Sequence, residues 1–264
     1  MRRLGWKKDP AKLAGETPDR PAAPKLRALP PPPVSASCAQ YILDILDQGQ
    51  LGSCTCNAFA QALRAAMVRA GAKSPEPAAR LFLYFLARAY DHDTANDDGT
   101  FLRNVAQAAV KYGFPEEKFW PYSDASGPGA PFSKMPSISA FWAAIDRSAR
   151  FSKPQYFRIE STGAQRIDDV KRAIAAGYCI AFGTDVSEDF CNGNLGTGPI
   201  PPPVALPIAG GHAMTIAGYD AAGVDVVNSW GDSWGNKGWC RFSWDYITWA
   251  KTDDMWIVEV APLF

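Results

Sequence analysis

Apolar residues recur at three- and four-residue spacing shortly after position 54: Ala58, Phe59, Ala62, Leu63, Ala66 and Met67 form one stripe. That stripe predicts an amphipathic helix ending near Gly71. Two further apolar stretches, Ala79 to Tyr90 and Leu102 to Tyr112 closed by Gly113, predict two more helices. Beyond Pro131 the texture changes. Short apolar runs (Tyr178 to Phe182, Ala213 to Tyr219, Val224 to Val227, Trp239 to Trp244, Met255 to Val260) alternate with Gly, Pro and Asp clusters, the pattern of strands joined by turns. The second half is therefore expected to be mostly strand. A helical lobe (about 38–130) followed by a strand-rich lobe (about 131–264) is an α+β arrangement, with a substrate site expected in the cleft between them.

Residues 1–28 stand outside this order. They carry eight Lys or Arg against three acids, four prolines and no apolar periodicity, which predicts an extended or disordered basic leader. Pro30 to Pro33 then impose polyproline conformation, and folded sequence is expected from about 29 to 264. Two readings of the leader stay open: a disordered tail, or an extended plug along the cleft.

Charge narrows the partners. Twenty-seven basic residues against 27 acidic ones leave no net field toward nucleic acid or anionic lipid, so no sequence-specific nucleic acid is expected and a peptide or protein substrate fits better. No apolar run approaches the roughly 20 residues of a membrane span. The N-terminus lacks the apolar stretch of a secretory signal, so the cytoplasm, or export without a cleavable signal, is expected. Six cysteines (38, 54, 56, 179, 191 and 240) are too sparse for a disulfide framework, and pairing among Cys38, Cys56, Cys179, Cys191 and Cys240 stays open.

Cys54 stands directly before the first predicted helix, where unpaired N–H groups and about half a positive charge favour thiolate over thiol. His212 follows Gly210-Gly211 at the entrance of a predicted strand, and imidazole can both accept a thiol proton and return it to a leaving amine. Sixteen residues on, Asn228 can accept the second ring N–H of His212 and so fix its tautomer, while Trp230 can shield that bond from water. A buried structural cysteine and a structural histidine are the plain alternatives for each residue taken alone.

Gln48 six residues before Cys54, and His212 sixteen residues before Asn228 within Asn228-Ser229-Trp230-Gly231, resemble the papain-like cysteine peptidases from about residue 30 onward, in particular short-leader bacterial members. The resemblance implies a two-lobe papain-like fold with a strand-rich, β-barrel-like second lobe. It also implies an endopeptidase working through a Cys54 acyl-thioester, with His212 as acid/base, Asn228 orienting it, and Gln48 with the Cys54 N–H as oxyanion donors. Asp98-Gly99-Thr100 resembles the strand that binds the substrate backbone, and Trp234 matches a tryptophan on the leaving side. With Gly211, Gly99, Thr100, Ala213 and Trp234 make up the expected substrate contacts, Gly183 and Ala213 lining the specificity pocket with Phe182 nearby.

Leu51 and Thr55 depart from the family pattern of a disulfide cysteine and an aromatic residue. Cys56 is a rival nucleophile, but choosing it breaks the glutamine spacing and the preceding Gly-Ser; it is read as a small buried residue. No cofactor or metal is expected, because no second cysteine pair has a short metal-binding spacing. The acidic run Asp91-His92-Asp93, with Asp97 and Asp98, lacks calcium-loop spacing and is expected to be a solvated loop beside the cleft. A papain-fold binding module, or an acyl transferase using the same site, is the alternative to a peptidase.

Overall fold

The computed structural model describes residues 3–10 and 19–261. In chain order the elements are α1 (Ala23–Arg27), β1 (Ala36–Ser37), α2 (Cys54–Arg69), α3 (Arg80–Ala89), α4 (Leu102–Tyr112), α5 (Ile138–Arg150), β2 (Gln155–Ile159), α6 (Gly163–Ala175), β3 (Ile180–Ser187), α7 (Glu188–Cys191), β4 (Ile208–Tyr219), β5 (Gly223–Val227), β6 (Trp239–Ser243), α8 (Trp244–Thr248) and β7 (Thr252–Glu259). The three helices predicted from periodicity are α2, α3 and α4, and the last matches its predicted span.

The strands form one antiparallel sheet in the order β2-β7-β3-β4-β5-β6, with β1 paired to β4. Every residue of α2 from Cys54 to Met67 is buried, which corrects the amphipathic reading: the helix has partners on all sides rather than on one face. Most of its side chains join a core with α3 and α4, while Ala65 joins the core of the sheet. Fully buried Thr215 of β4 donates its Oγ1 hydroxyl to the α2 carbonyl of Ala58 at 3.0 Å, which ties the sheet to the helix that begins at Cys54.

Two further expectations need correction. The region beyond Pro131 is not mostly strand up to β3, because α5 and α6 lie there. The α5 stripe Ile138, Trp142 and Ile145 points to solvent, at 77%, 66% and 58% exposure, so its periodicity does not mark a core face. In α6 the buried stripe of Arg166, Asp169, Val170, Ala173 and Ile174 includes charged residues, which hide the helix from an apolar count. Nor is the leader uniformly extended. Ala23–Arg27 is a helix with Pro24 in its first turn, and Ala22 and Leu26 are fully buried in the sheet core.

Among the described residues no helix is long and apolar enough to cross a membrane. All six cysteines are buried free thiols, so Cys179 and Cys191 are not bonded to each other.

Candidate active site

Cys54 is the first residue of α2, behind Ser53, whose carbonyl accepts the N–H groups of Cys56 and Asn57. The approach is braced from several sides. Gly52 N–H donates to both carboxylate oxygens of Asp97 (3.0 and 3.1 Å), and Tyr84 Oη donates to the same carboxylate at 2.6 Å. Tyr122 Oη lies 2.7 Å from Ser53 Oγ and 2.9 Å from the Gln48 carbonyl. Arg80 donates to the Asp47 carbonyl and to Asn57 Oδ1, both at 2.8 Å. Asp97 is buried rather than solvated, which corrects that part of the acidic-loop expectation: its charge is spent on ordering the turn into Cys54.

His212 lies on β4 and is fully buried. Its Nε2 donates to Asn228 Oδ1 at 2.8 Å, and that oxygen also accepts the Ser229 N–H at 2.8 Å. Donation from Nε2 leaves Nδ1 as the lone-pair nitrogen, and among the described residues Nδ1 has no hydrogen-bond partner. Trp230 stacks on the imidazole with ring centres 4.4 Å apart and planes 24° apart, covering the His212–Asn228 bond. Trp234 meets Trp230 edge-on at 5.2 Å, and Phe190 packs on both.

The Cys54 thiol is reached by the backbone N–H of Ala213, next to His212, and by those of Gly5 and Thr55. Burial pushes this thiol up to about 11, against the pull of those N–H groups. Burial likewise lowers the His212 imidazole to about 4, with the Asn228 hydrogen bond opposing. Burial therefore favours the neutral form of both groups in this arrangement.

Gln48 is fixed at both ends. Its Oε1 accepts the Ser229 hydroxyl at 2.8 Å, while its Nε2 donates to the Leu51 carbonyl at 2.7 Å and to the Arg3 carbonyl at 3.0 Å. The remaining expected contacts meet the same N-terminal segment. Thr100 N–H donates to the Gly5 carbonyl at 2.9 Å, the Thr100 carbonyl accepts Lys7 N–H at 3.2 Å, and the Gly211 carbonyl accepts Trp6 N–H at 3.1 Å. Trp6 pairs with Thr100 in parallel. At Gly99 (φ +74°) a Cβ would stand 2.0 Å from the Gly5 carbonyl oxygen, and at Gly183 one would stand 2.0 Å from the Trp6 ring. These glycines are required by close approach of the segment.

Cys54, His212, Asn228, Gln48, Trp230, Gly211 and Ala213 thus converge, with Gly99, Thr100 and Gly183 lining the path of residues 3–10. Trp234 sits behind Trp230. Cys56 is fully buried within α2, and burial pushes its thiol well above the ordinary range. Sequence reasoning gave no role to Ser229, although it stands within the quoted Asn-Ser-Trp-Gly, and read Asp97 as part of a solvated loop.

The family described as papain family cysteine protease matches residues 33–256. An uncharacterized peptidase C1-like protein of Acanthamoeba polyphaga mimivirus is 30% identical over 223 residues, covering 82% of this chain and 70% of that protein. The crystal structure of xylellain, a cysteine protease from Xylella fastidiosa, aligns with a TM-score of 0.81 and 29% identity over 98% of this chain and 97% of that one. A proCathepsin B from Trypanosoma congolense, at 14% identity, shares the fold, with a TM-score of 0.68 over 100% of this chain and 87% of its own. With the matched region spanning most of its length, this chain belongs to the papain family and is a cysteine peptidase.

Proposed function

We propose that Cys54 is the nucleophile of a peptide-bond hydrolase, and that residues 3–10 hold its site closed until they are displaced. The observation that carries the reading is the Arg3 carbonyl on Gln48 Nε2: a peptide carbonyl accepts from the amide assigned to the oxyanion. Parallel pairing with Thr100, and Gly5 wedged against Gly52 where a Cβ would stand 1.8 Å from a carbonyl oxygen, support a tight fit over the nucleophile.

In the open site the Cys54 proton passes to His212 Nδ1, and the thiolate attacks the substrate carbonyl carbon. Gln48 Nε2 and the Cys54 N–H receive the developing oxyanion. Collapse breaks the C–N bond, the departing amine takes the proton from His212, and an acyl-thioester remains on Cys54. Water, deprotonated by the same imidazole, then attacks the thioester, releases the carboxylate and restores the thiol. Asn228 keeps Nδ1 facing the chemistry throughout. With residues 3–10 seated, burial disfavours the charged forms of both thiol and imidazole; letting water in relieves that desolvation.

The test is mass spectrometry after treatment with a peptidyl epoxide, on the full chain and its Trp6→Ala, Cys54→Ala, Cys56→Ala and His212→Ala variants. Label is expected on Cys54, increased by Trp6→Ala, unaffected by Cys56→Ala and dependent on His212. Label on Cys56 would overturn the assignment of the nucleophile, and no gain with Trp6→Ala would overturn the closed-site reading.

A further inference from the structure

Two cysteines outside the active site meet at one point of the sheet. β1 pairs with Gly218 and Tyr219 of β4, and the other edge of β4 at those residues is taken by β5. β1 therefore lies on the β4 edge that β3 occupies further along, where Ile180 faces Ile216. The two strands run in the same direction, end to end, and the junction between them falls at Ala217. Cys38 follows β1 there, its backbone N–H donating to the Ala217 carbonyl at 2.6 Å. Cys179 immediately precedes β3, and continuing the β3–β4 register by one residue brings it to the same Ala217.

The two side chains are in contact. The Cys38 thiol donates to the Ile174 carbonyl of α6 at 3.3 Å, and the Cys179 thiol hydrogen-bonds to Cys38. Both are buried in the sheet core. Sulfurs held this close, on backbone anchored to one strand, reach bonding distance by side-chain rotation. Losing the Cys38 hydrogen leaves no acceptor unpaired, because the Ile174 carbonyl also accepts the Gly177 N–H at 2.9 Å. Cys54 and Cys56, by contrast, stand two residues apart on α2, and such positions do not face each other on a helix.

We propose that Cys38 and Cys179 form a disulfide when the chain folds in the presence of a small-molecule disulfide such as oxidised glutathione. One cysteine thiolate attacks the oxidant, forming a mixed disulfide and releasing one small thiolate. The second cysteine thiolate attacks the protein-bound sulfur of that mixed disulfide and expels the other. Two cysteine S–H bonds are lost and one S–S bond is gained, while the oxidant's S–S bond is reduced to two thiols that take up both protons. Because the folded pair is buried, the exchange belongs to the opened chain, and the finished bond is shielded from reductants. The bond closes a loop of about 140 residues that holds α2 to α6 and Cys54, and restricting so long a loop in the unfolded chain stabilises the folded one. Residues 3–10 lie outside the loop and stay free to leave.

The experiment holds the full chain at its urea midpoint, where folded and opened molecules exchange, in oxidised and reduced glutathione or in dithiothreitol alone. The samples are then diluted to folding conditions and freed of small thiols. Remaining cysteine thiols are alkylated, peptides are mapped without reduction by mass spectrometry, and melting temperatures are read on the same samples. Peptides joined through Cys38 and Cys179 are expected from the glutathione sample only, with a melting temperature about 5–10 °C above the reduced one. Cys38→Ala, which keeps the remaining thiols, is expected to melt at one temperature in both buffers. Alkylation of both Cys38 and Cys179 in glutathione, a bond from either to a different cysteine, or a joined pair without a rise in melting temperature would each overturn the proposal. Should Cys38→Ala fail to fold, the wild-type comparison between the two buffers decides it.

Discussion

Residues 3–10 and 19–29 belong to one Pro-rich basic stretch, yet they are attached by different physics. The first segment is held by backbone hydrogen bonds to Thr100 and Gly211, by the Gln48 amide and by one anchoring side chain, Trp6, which reaches Asp254. The second places Ala22 and Leu26, both fully buried, in the sheet core, and the Leu29 carbonyl accepts Arg172 Nη1 at 2.8 Å. Hydrogen bonds of the first kind can be exchanged for those of a substrate or of water at small net cost, whereas leaving the core exposes apolar surface with nothing in return. Similar composition thus yields one detachable piece and one permanent one.

The largest effect expected from this contrast is at Trp6. Trp6→Ala removes a 7%-exposed side chain and its bond to Asp254, so the seated state should lose about 3 kcal/mol or more, as for other buried Trp truncations. Epoxide labelling of Cys54 should accelerate roughly 100-fold, because opening needs that much less free energy, and global stability should fall by a similar amount. Leu26→Ala should part the two readouts. It is expected to cost about 2–5 kcal/mol of global stability, read by urea denaturation, without faster labelling of the folded protein. Faster labelling with Leu26→Ala, or no faster labelling with Trp6→Ala, would erase the distinction between the two segments.

That distinction was not legible in the sequence, whereas much of the site was. Gln48, Cys54, His212 and Asn228 stand out as a candidate site because two fixed spacings constrain them jointly, and α2 to α4 because their apolar residues meet a core. The leader has no such periodicity: Leu26 is one apolar residue among charges, and its burial depends on α6 and the sheet far along the chain. Asp254 was invisible for a related reason. A carboxylate beside Asp253 reads as surface, and only the fold brings Trp6, Asp9 and Arg158 to it from positions about 100 to 250 residues away. Asp97 was misread as solvated because its partners, Gly52 and Tyr84, meet it through tertiary structure. Spacing reports residues that share one local frame; pairing across the fold leaves no local trace.

Acidification sharpens the comparison by a smaller amount. The folded imidazole of His212 is lowered to about 4 from an ordinary 6.5, so the unfolded chain protonates first as pH falls. Stability from this group is complete above about 6.5 and is lost as pH falls toward 4, by up to about 3 kcal/mol for a shift of this size. The loss should appear as wild type minus His212→Gln in urea unfolding at pH 7 and pH 4.5. Because the shift comes from burial, Trp6→Ala should reduce it and Leu26→Ala should not; equal shifts in both would mean that the N-terminal segment contributes nothing to drying the site.

The smallest effect is expected at Lys8, on the rim. Its Nζ lies 3.5 Å from Asp253 Oδ2 and 3.2 Å from the Ala250 carbonyl, and its side chain is about half exposed. Exposed pairs of this kind contribute about 0–1 kcal/mol and are screened by salt. Lys8→Ala should therefore speed Cys54 labelling by no more than about fivefold at low ionic strength, and the gain should shrink in 0.5 M NaCl. The Trp6→Ala gain, which comes from burial, should persist in the same salt. If instead Lys8→Ala matched Trp6→Ala, or if salt abolished both gains, the segment would be held by the charges at its rim and not by the ring in the slot, and the contrast with the core-anchored residues 19–29 would lie in electrostatics rather than in what each segment buries.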